Sequence, residues 1–376
     1  MRILQTISDF DTLSGGTSTC TYDLLTAMHK TGCGVDLMTM QTDDMMGHGE
    51  SWIKALANDA ISPYGYSRNM NRFLRHSNYD LYHTNGMWMH CNHITCAVAR
   101  QKGKPYIITP HGMLYPQAMA RSAWKKQLQL RLGGVDKDLR QAACIHCTCL
   151  EEMKHYRELG YKNPVAVIPN PVPIPSYINE LKSDRTVKRI GFLGRLHPRK
   201  NVEALLEAWI ALGDKVKDAQ LVIMGKGEPH YEQMLKERVA SHGLKNVEFA
   251  GFVTGREKFE RLASLMALCV PSDFENFGMI VTEALSVGTP VIASLGTPWE
   301  ELNTCHCGYW VSNDVNTLAN TIAQVLDLPA DEISQMGKNG KQLVRVKYQD
   351  TQVAKMMAQL YSWIIDGGKK PEFVYE

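Results

Sequence analysis

The chain has 376 residues, about two domains at ~100–200 residues each, and 44% of them are apolar against 21% charged. That balance belongs to a globular protein with a sizeable core and excludes disordered, collagen-like and coiled-coil classes. With 41 Lys and Arg against 39 Asp and Glu the net charge is +2, too even for a dedicated nucleic-acid binder.

No apolar run reaches the ~18 residues of a membrane-spanning helix. The first residues meet Asp9 before any signal-peptide core can form. With ten cysteines and no secretory signal, the expectation is a cytoplasmic protein with reduced thiols. Charge is uneven: residues 81–135 hold no Asp or Glu but include Arg100, Lys102, Lys104, Arg121, Lys125, Lys126 and Arg131. One electropositive face with an anionic partner fits this, and so does a chance fluctuation.

In chain order, the first half predicts strands over 2–7, 35–40, 80–84, 106–109, 143–149 and 165–168. The first is followed by Ser14-Gly15-Gly16-Thr17 and a helix, a turn that lets backbone approach an anion but is often purely structural. The strand over 106–109 runs into Pro110-His111-Gly112. Residues 120–132, if helical, align Ala120, Trp124, Leu128 and Leu132 in one apolar stripe flanked by Arg121, Lys125, Lys126 and Arg131. Such a helix suits an anionic membrane surface, and equally the outside of its own sheet. Cys144-Ile145-His146-Cys147-Thr148-Cys149 and His90-Cys91-Asn92-His93 hold metal-ligating residue types. They lack the paired spacing of a structural zinc site and read as buried thiols.

Five prolines between Pro164 and Pro175 mark a stiff connector. The expected domains are 1–172 and 173–350, with a last helix over 351–365 in a tail, 351–376, that packs on either. The second half predicts strands over 189–193, 220–224, 247–252, 268–270, 290–293 and 308–311. Helices are expected over 202–211, 231–241, 256–266 and 279–287. Strand–helix alternation of this kind makes parallel sheets with crossover helices, and parallel sheets bind ligands at the C-terminal ends of their strands. Three strand ends here carry candidate chemistry. Gly194-Arg195-Leu196 leads to Arg199-Lys200, a fork and a point charge for a pyrophosphate or a solvated basic loop. Gly225-Lys226-Gly227 is half of a dinucleotide fingerprint or a tight turn. Glu275-Asn276-Phe277-Gly278-Met279 and Glu283 place two carboxylates beside a helix start, an arrangement suited to vicinal hydroxyls.

Glu275 and Glu283, with Phe277-Gly278 between them and Glu283-Ala284-Leu285 closing the motif, resemble the retaining GT-B glycosyltransferases of family 4, the glycosyl transferases of group 1. Gly15-Gly16, Thr109-Pro110-His111-Gly112, Val167-Ile168-Pro169-Asn170, Gly194-Arg195 with Lys200, and Gly225 with Gly227 follow the family's order, so the likeness covers nearly the whole chain. The resemblance implies an α/β GT-B fold, two doubly wound Rossmann-like domains facing across a cleft. It implies that Arg195, Lys200 and the Gly16 amide neutralise the donor diphosphate and that Glu283 binds the ribose. Glu275 and the backbone of Phe277, Gly278 and Met279 would hold the donor sugar, with His111 near the reaction centre. The loops at Gly225–Gly227 and 251–253, Val253 included, would border the nucleobase.

The implied reaction is metal-independent transfer with retention, from a UDP- or GDP-linked sugar to a hydroxyl. No cofactor is expected, and an Asp-x-Asp metal motif is not expected in the chain. A glycan or lipid-linked glycan in bacterial surface polysaccharide or lipopolysaccharide assembly is the expected acceptor, reached by a cytoplasmic protein lying peripherally on the inner leaflet. A nucleotide-sugar epimerase and a non-enzymatic nucleotide-sugar sensor are the alternatives. At Pro298-Trp299-Glu300-Glu301 the chain departs from the family's shorter turn, which leaves the edge of the sugar pocket open.

Overall fold

Parallel strands bury both faces, so they appear in sequence as short, nearly unbroken apolar runs. Ala267–Val270 and Ala219–Met224 are of this kind. The computed structural model describes residues 1–11 and 15–376 and divides into two units, Met1–Pro171 with Asp350–Glu376, and Val172–Gln349.

The first unit carries β1 (Ile3–Thr6), β2 (Val35–Met40), β3 (Ile53–Leu56), β4 (Leu81–Asn85), β5 (Tyr106–Thr109), β6 (Cys144–Cys147) and β7 (Val165–Val167). The second carries β8 (Lys188–Leu193), β9 (Ala219–Met224), β10 (Val247–Gly251), β11 (Ala267–Val270), β12 (Val291–Ser294) and β13 (Gly308–Val311). The first sheet closes with β14 (Val374–Tyr375) and has the order β14-β7-β6-β5-β4-β1-β2-β3, parallel except for β14; the second, order β10-β9-β8-β11-β12-β13, is wholly parallel. Ile3 sits in register with both Val35 and Leu81, which fixes β1 mid-sheet and turns its loop toward the same edge as those after β4 and β5.

The C-terminal helix Asp350–Asp366 belongs to the first unit. It buries Val353, Ala354, Met357, Leu360 and Tyr361 beside the helix Gly16–Lys30, in a cluster with Ile3, Leu25 and Met28. In the second unit, one face of the sheet packs Ile190, Leu206, Trp209 and Ile223; the other packs Val222, Leu268, Val281 and Trp299.

Three features differ from the sequence expectation. β3 and β14 extend the first sheet beyond the six expected strands. The expected helix over 120–132 is broken: Pro116–Ala120 ends, Ser122 takes a left-handed φ of 54°, and a new helix runs Ala123–Arg131. Ala120 therefore drops out of the stripe. The second helix buries none of its residues; Trp124 is 69%, Leu128 51% and the flanking Leu132 80% exposed.

Candidate active site

In the second unit, β8 delivers Gly194 and Arg195, whose guanidinium is exposed. The Gly194 amide donates to the Met224 carbonyl (3.0 Å) and the Leu196 amide to the Lys226 carbonyl (2.9 Å), so the loops after β8 and β9 lie against each other. That approach requires the glycines. A Cβ on Gly225 would fall 1.8 Å from the Gly194 oxygen, and one on Gly227 would fall 1.9 Å from the Leu196 oxygen. Their amides are engaged as well, Gly225 with the Gly251 carbonyl (2.7 Å) and Gly227 with the Glu232 carboxylate (2.6 Å). These two glycines shape the strand ends and hold no spare N–H for a phosphate.

The turn Pro198–Lys200 is capped by the His197 ring, which accepts from the Arg199 amide (3.1 Å), and is followed by Asn201 in the left-handed region. It turns Lys200 onto Glu275: the ammonium donates to Glu275 Oε1, which also accepts the Ser272 hydroxyl (2.9 Å). Glu275 is only 8% exposed. A carboxylate that deep persists only when it is paired, and here it is. Its own amide donates to the Gly296 carbonyl (2.9 Å), tying the loop after β11 to that after β12.

The helix Met279–Ser286 opens after Gly278, φ 78°, with no side chain capping it; the Val281 amide closes onto the Gly278 carbonyl (2.9 Å), so only the amides ahead of Val281 are left to a ligand or solvent. Trp299, from the four residues that depart from the family pattern, closes the other side. Its buried indole donates to the Phe277 carbonyl (2.5 Å) and its ring meets Phe277 at 5.3 Å. The longer turn thus anchors the backbone stretch expected to hold the sugar. Met279 is partly buried in the same cluster. Glu283 Oε1 pairs with the Lys258 ammonium at 2.8 Å.

Val253 is buried in the core, so its side chain is withdrawn from the strand end, whereas its neighbour Phe252 is 69% exposed there. The sequence places the 251–253 loop at the base but singles out Val253 rather than Phe252, because the apolar run through β10 absorbs Phe252 into the strand.

In the first unit, Gly16 is the first residue of its helix, with no side-chain cap, and a Cβ there would meet nothing within 4 Å among the described residues. Ser14 of the same motif lies outside the described residues. After β5 the chain turns through two left-handed residues, His111 (φ 51°) and Gly112 (φ 77°). A non-glycine residue there is strained, and such strain gathers at functional sites. The turn is held by Glu152, which accepts from the Gly112 amide, the Thr148 amide (2.8 Å) and the Thr148 hydroxyl (3.1 Å). Burial pushes the Glu152 carboxyl above its usual range. His111 Nε2 meets Asn85 Oδ1 at 3.0 Å, and desolvation, with a smaller repulsion from His146, pushes its pKa down to about 3. The ring is therefore neutral at physiological pH.

Two competing constellations resolve differently. Cys144 and Cys147 are buried, and burial pushes Cys144 up to about 12, so they pack as thiols. The expectation of no Asp-x-Asp motif fails on the sequence itself, since Asp9-Phe10-Asp11 and Asp136-Lys137-Asp138 both have that spacing. The second pair is committed elsewhere: Asp136 to Arg140 (2.8 Å) and Tyr161 (3.0 Å), Asp138 to Arg100 (2.6 Å) and His93 (2.7 Å). Asp11 accepts the Thr42 hydroxyl.

Two parallel α/β units, with charged and glycine-bearing loops at the C-terminal strand ends, define a GT-B glycosyltransferase architecture. The sucrose-phosphate synthase of Thermosynechococcus elongatus shares the fold, with a TM-score of 0.74 at 23% identity over 98% of this chain and 100% of that one. A glycosyltransferase of Rickettsia africae does so with a TM-score of 0.73 at 15% identity, over 98% of this chain and 99% of that one. The family model for a glycosyl transferase 4-like domain matches residues 15–171, and that for glycosyl transferases group 1 matches residues 174–343. The chain belongs to this family of GT-B glycosyltransferases. Phosphatidyl-myo-inositol mannosyltransferase of Mycobacterium tuberculosis is 33% identical over 132 residues, 34% of each chain. A GDP-mannose-dependent monoacylated alpha-(1-6)-phosphatidylinositol monomannoside mannosyltransferase of Corynebacterium glutamicum is 28% identical over 200 residues, 48% of this chain and 51% of that one. The chain thus spans about a third to a half of the length of these curated relatives.

Proposed function

We propose that the chain transfers a sugar, with retention and without a metal, from a UDP- or GDP-linked donor to a hydroxyl of a glycan or lipid-linked glycan in bacterial surface polysaccharide assembly. The observation that carries this reading is the buried Glu275, held by Lys200 and Ser272 beside an uncapped helix start. A carboxylate so placed accepts from sugar hydroxyls. The ammonium beside it and the exposed Arg195 take up the charge that develops on the departing diphosphate. Glu283 serves the ribose, and the exposed Phe252 offers a face for the base. Gly16 and His111 keep the roles the resemblance implies, a diphosphate amide and a sugar contact. With positive groups at the diphosphate, the leaving phosphate itself deprotonates the acceptor on the face it leaves.

The helix Ala123–Arg131 supports a peripheral location on an anionic inner leaflet. Its Trp124 and Leu128 are exposed among the outward Arg121, Lys125 and Arg131.

A donor panel led by GDP-mannose, which the name of the Corynebacterium relative includes, tests the reading. Turnover is expected with one nucleotide-sugar, with the anomeric configuration kept in the product by NMR and the rate unchanged in excess EDTA. Free sugar released with no need for an acceptor, or inversion at the anomeric carbon, refutes it. Loss of activity in EDTA restored by magnesium removes its metal-free part.

A further inference from the structure

The strands of the first unit bury more polarity than a sheet core normally tolerates. Gln5 of β1, His83 and Asn85 of β4, Thr109 of β5 and His146 of β6 are all under one-tenth exposed, and Tyr361 of the C-terminal helix is fully buried beside them. Buried polar groups persist when each finds a partner. Here the partners join into one chain whose direction can be derived from its end.

That end is the Ile168 carbonyl, which can only accept. His146 Nε2 lies 2.8 Å from it and so carries a proton. Desolvation pushes His146 down to about 4, so the ring is neutral and its Nδ1 is a lone pair. Thr109 Oγ1, 2.9 Å from that Nδ1, must donate to it. Having spent its one proton, Thr109 accepts from His83 Nε2 at 2.6 Å. Burial lowers His83 well below its ordinary value, so its Nδ1 is in turn an acceptor and takes the Tyr361 hydroxyl at 2.8 Å. The Tyr361 oxygen then accepts from Gln5 Nε2 (2.8 Å), and Gln5 Oε1 accepts from Asn85 Nδ2 (2.9 Å). Asn85 therefore turns its Oδ1 to His111, and His111 Nε2 must be the N–H.

We infer that this one-way hydrogen-bond chain is a positioning device that locks His111 in its Nε2–H tautomer and leaves Nδ1, the nitrogen outside the chain, as the lone pair offered to a donor-sugar hydroxyl. The inference about the sugar rests on the role proposed for His111; the tautomer does not. Amide side chains can flip end for end, and a flipped Asn85 would offer an N–H and force the opposite tautomer. Tyr361 prevents this by pinning Gln5, and through Gln5, Asn85.

The test is long-range ¹H–¹⁵N NMR of the histidine rings in the full chain, labelled with ¹⁵N-histidine and assigned by single substitutions. His83, His111 and His146 are expected as neutral Nε2–H rings at pH 7. His111 as Nδ1–H, or averaged between tautomers, in the wild-type protein overturns the chain. Tyr361→Phe keeps the ring packed and removes the pin. It is expected to give His111 a mixed tautomer, with kcat down about tenfold and the donor KM little changed. Thr109→Ser keeps the hydroxyl and should preserve all three tautomers, whereas Thr109→Val should not. If Tyr361→Phe leaves the His111 tautomer intact, the positioning role falls. If the tautomer mixes while kcat is unaltered, the chain stands and the sugar-contact role of His111 falls.

Discussion

Glu275 and Lys200 were expected as separate contributors, a sugar ligand and a diphosphate ligand, and the structure joins them in one ion pair. That coupling changes what a substitution does. Glu275→Gln removes the charge that competes for Lys200, so nucleoside-diphosphate affinity should rise, by up to ~10-fold. Turnover should fall at least ~30-fold, since one charge-assisted contact supplies ~2 kcal/mol. Arg195→Ala, with no such competitor among the described residues at its exposed side chain, should lose ~1.5–3 kcal/mol of diphosphate affinity. Calorimetry that finds both variants equally weakened would break the assignment of Glu275 to the sugar. Phe252→Ala should weaken nucleotide binding by ~1–3 kcal/mol if its ring stacks on the base; an unchanged Kd removes Phe252 from the site. Glu275 was legible in the sequence because its spacing to Glu283 survives as a local pattern. Its pairing with Lys200, 75 residues away, was not, because only the fold brings the loops after β8 and β11 together.

At the level of elements, the central strands could be read because burial on both faces leaves an apolar run, as in β9 and β11. The edge strands could not. β3 is half-buried along its length and carries Lys54, which pairs with Asp36 (3.3 Å) on the neighbouring strand; β14 is two residues long. Polar strands such as β4, Leu-Tyr-His-Thr-Asn, read as strands without revealing why their polar residues are tolerated, since Tyr361 is 278 residues from His83. The break at Ser122 was equally hidden, because nothing in the helix-forming residues around it signals a left-handed turn. It matters for the membrane reading. Lys126 is drawn inward, donating to the Ala118 carbonyl and lying 5.7 Å from the Trp88 ring, so the basic residues that face solvent are Arg121, Lys125 and Arg131. At roughly 1 kcal/mol per basic residue near an anionic surface, Lys125→Glu/Arg131→Glu should cut co-sedimentation with phosphatidylglycerol vesicles at least tenfold. Binding by the wild-type chain should itself fall at high salt. Equal binding to neutral and anionic vesicles, or a charge-reversed variant that binds normally, sinks the idea.

For the whole molecule, the buried histidines make its two units unequal toward acid. His83 and His146 are held neutral by burial, both well below the ordinary value near 6.5, and His111 and His90 are lowered in the same sense. All four lie in the first unit; the second unit's His197, His230, His242 and His306 are exposed. The sign follows from linkage. Below about pH 6.5 the unfolded chain takes up protons that the native imidazoles refuse, so native stability is full above that pH and drains as pH falls toward 4. By pH 5 His146 and His111, pushed down to about 4 and about 3, each cost about 2 kcal/mol and together remove about 4 from a domain stability of ~5–15 kcal/mol, and His83 adds to the loss in the same sense. Glu152, raised by burial, acts in the opposite sense just above pH 4.5 and as one group offsets one histidine at most. Urea unfolding followed by hydrogen-exchange mass spectrometry, with exchange times matched for intrinsic rate, reads each unit separately. Between pH 7 and pH 5 the midpoint for first-unit peptides should drop by ~1–2 M or more, at the usual urea slope of ~1–3 kcal/mol/M, while second-unit peptides shift far less. A parallel shift in both units, or none in the first, would mean that these imidazoles are not kept neutral by the fold.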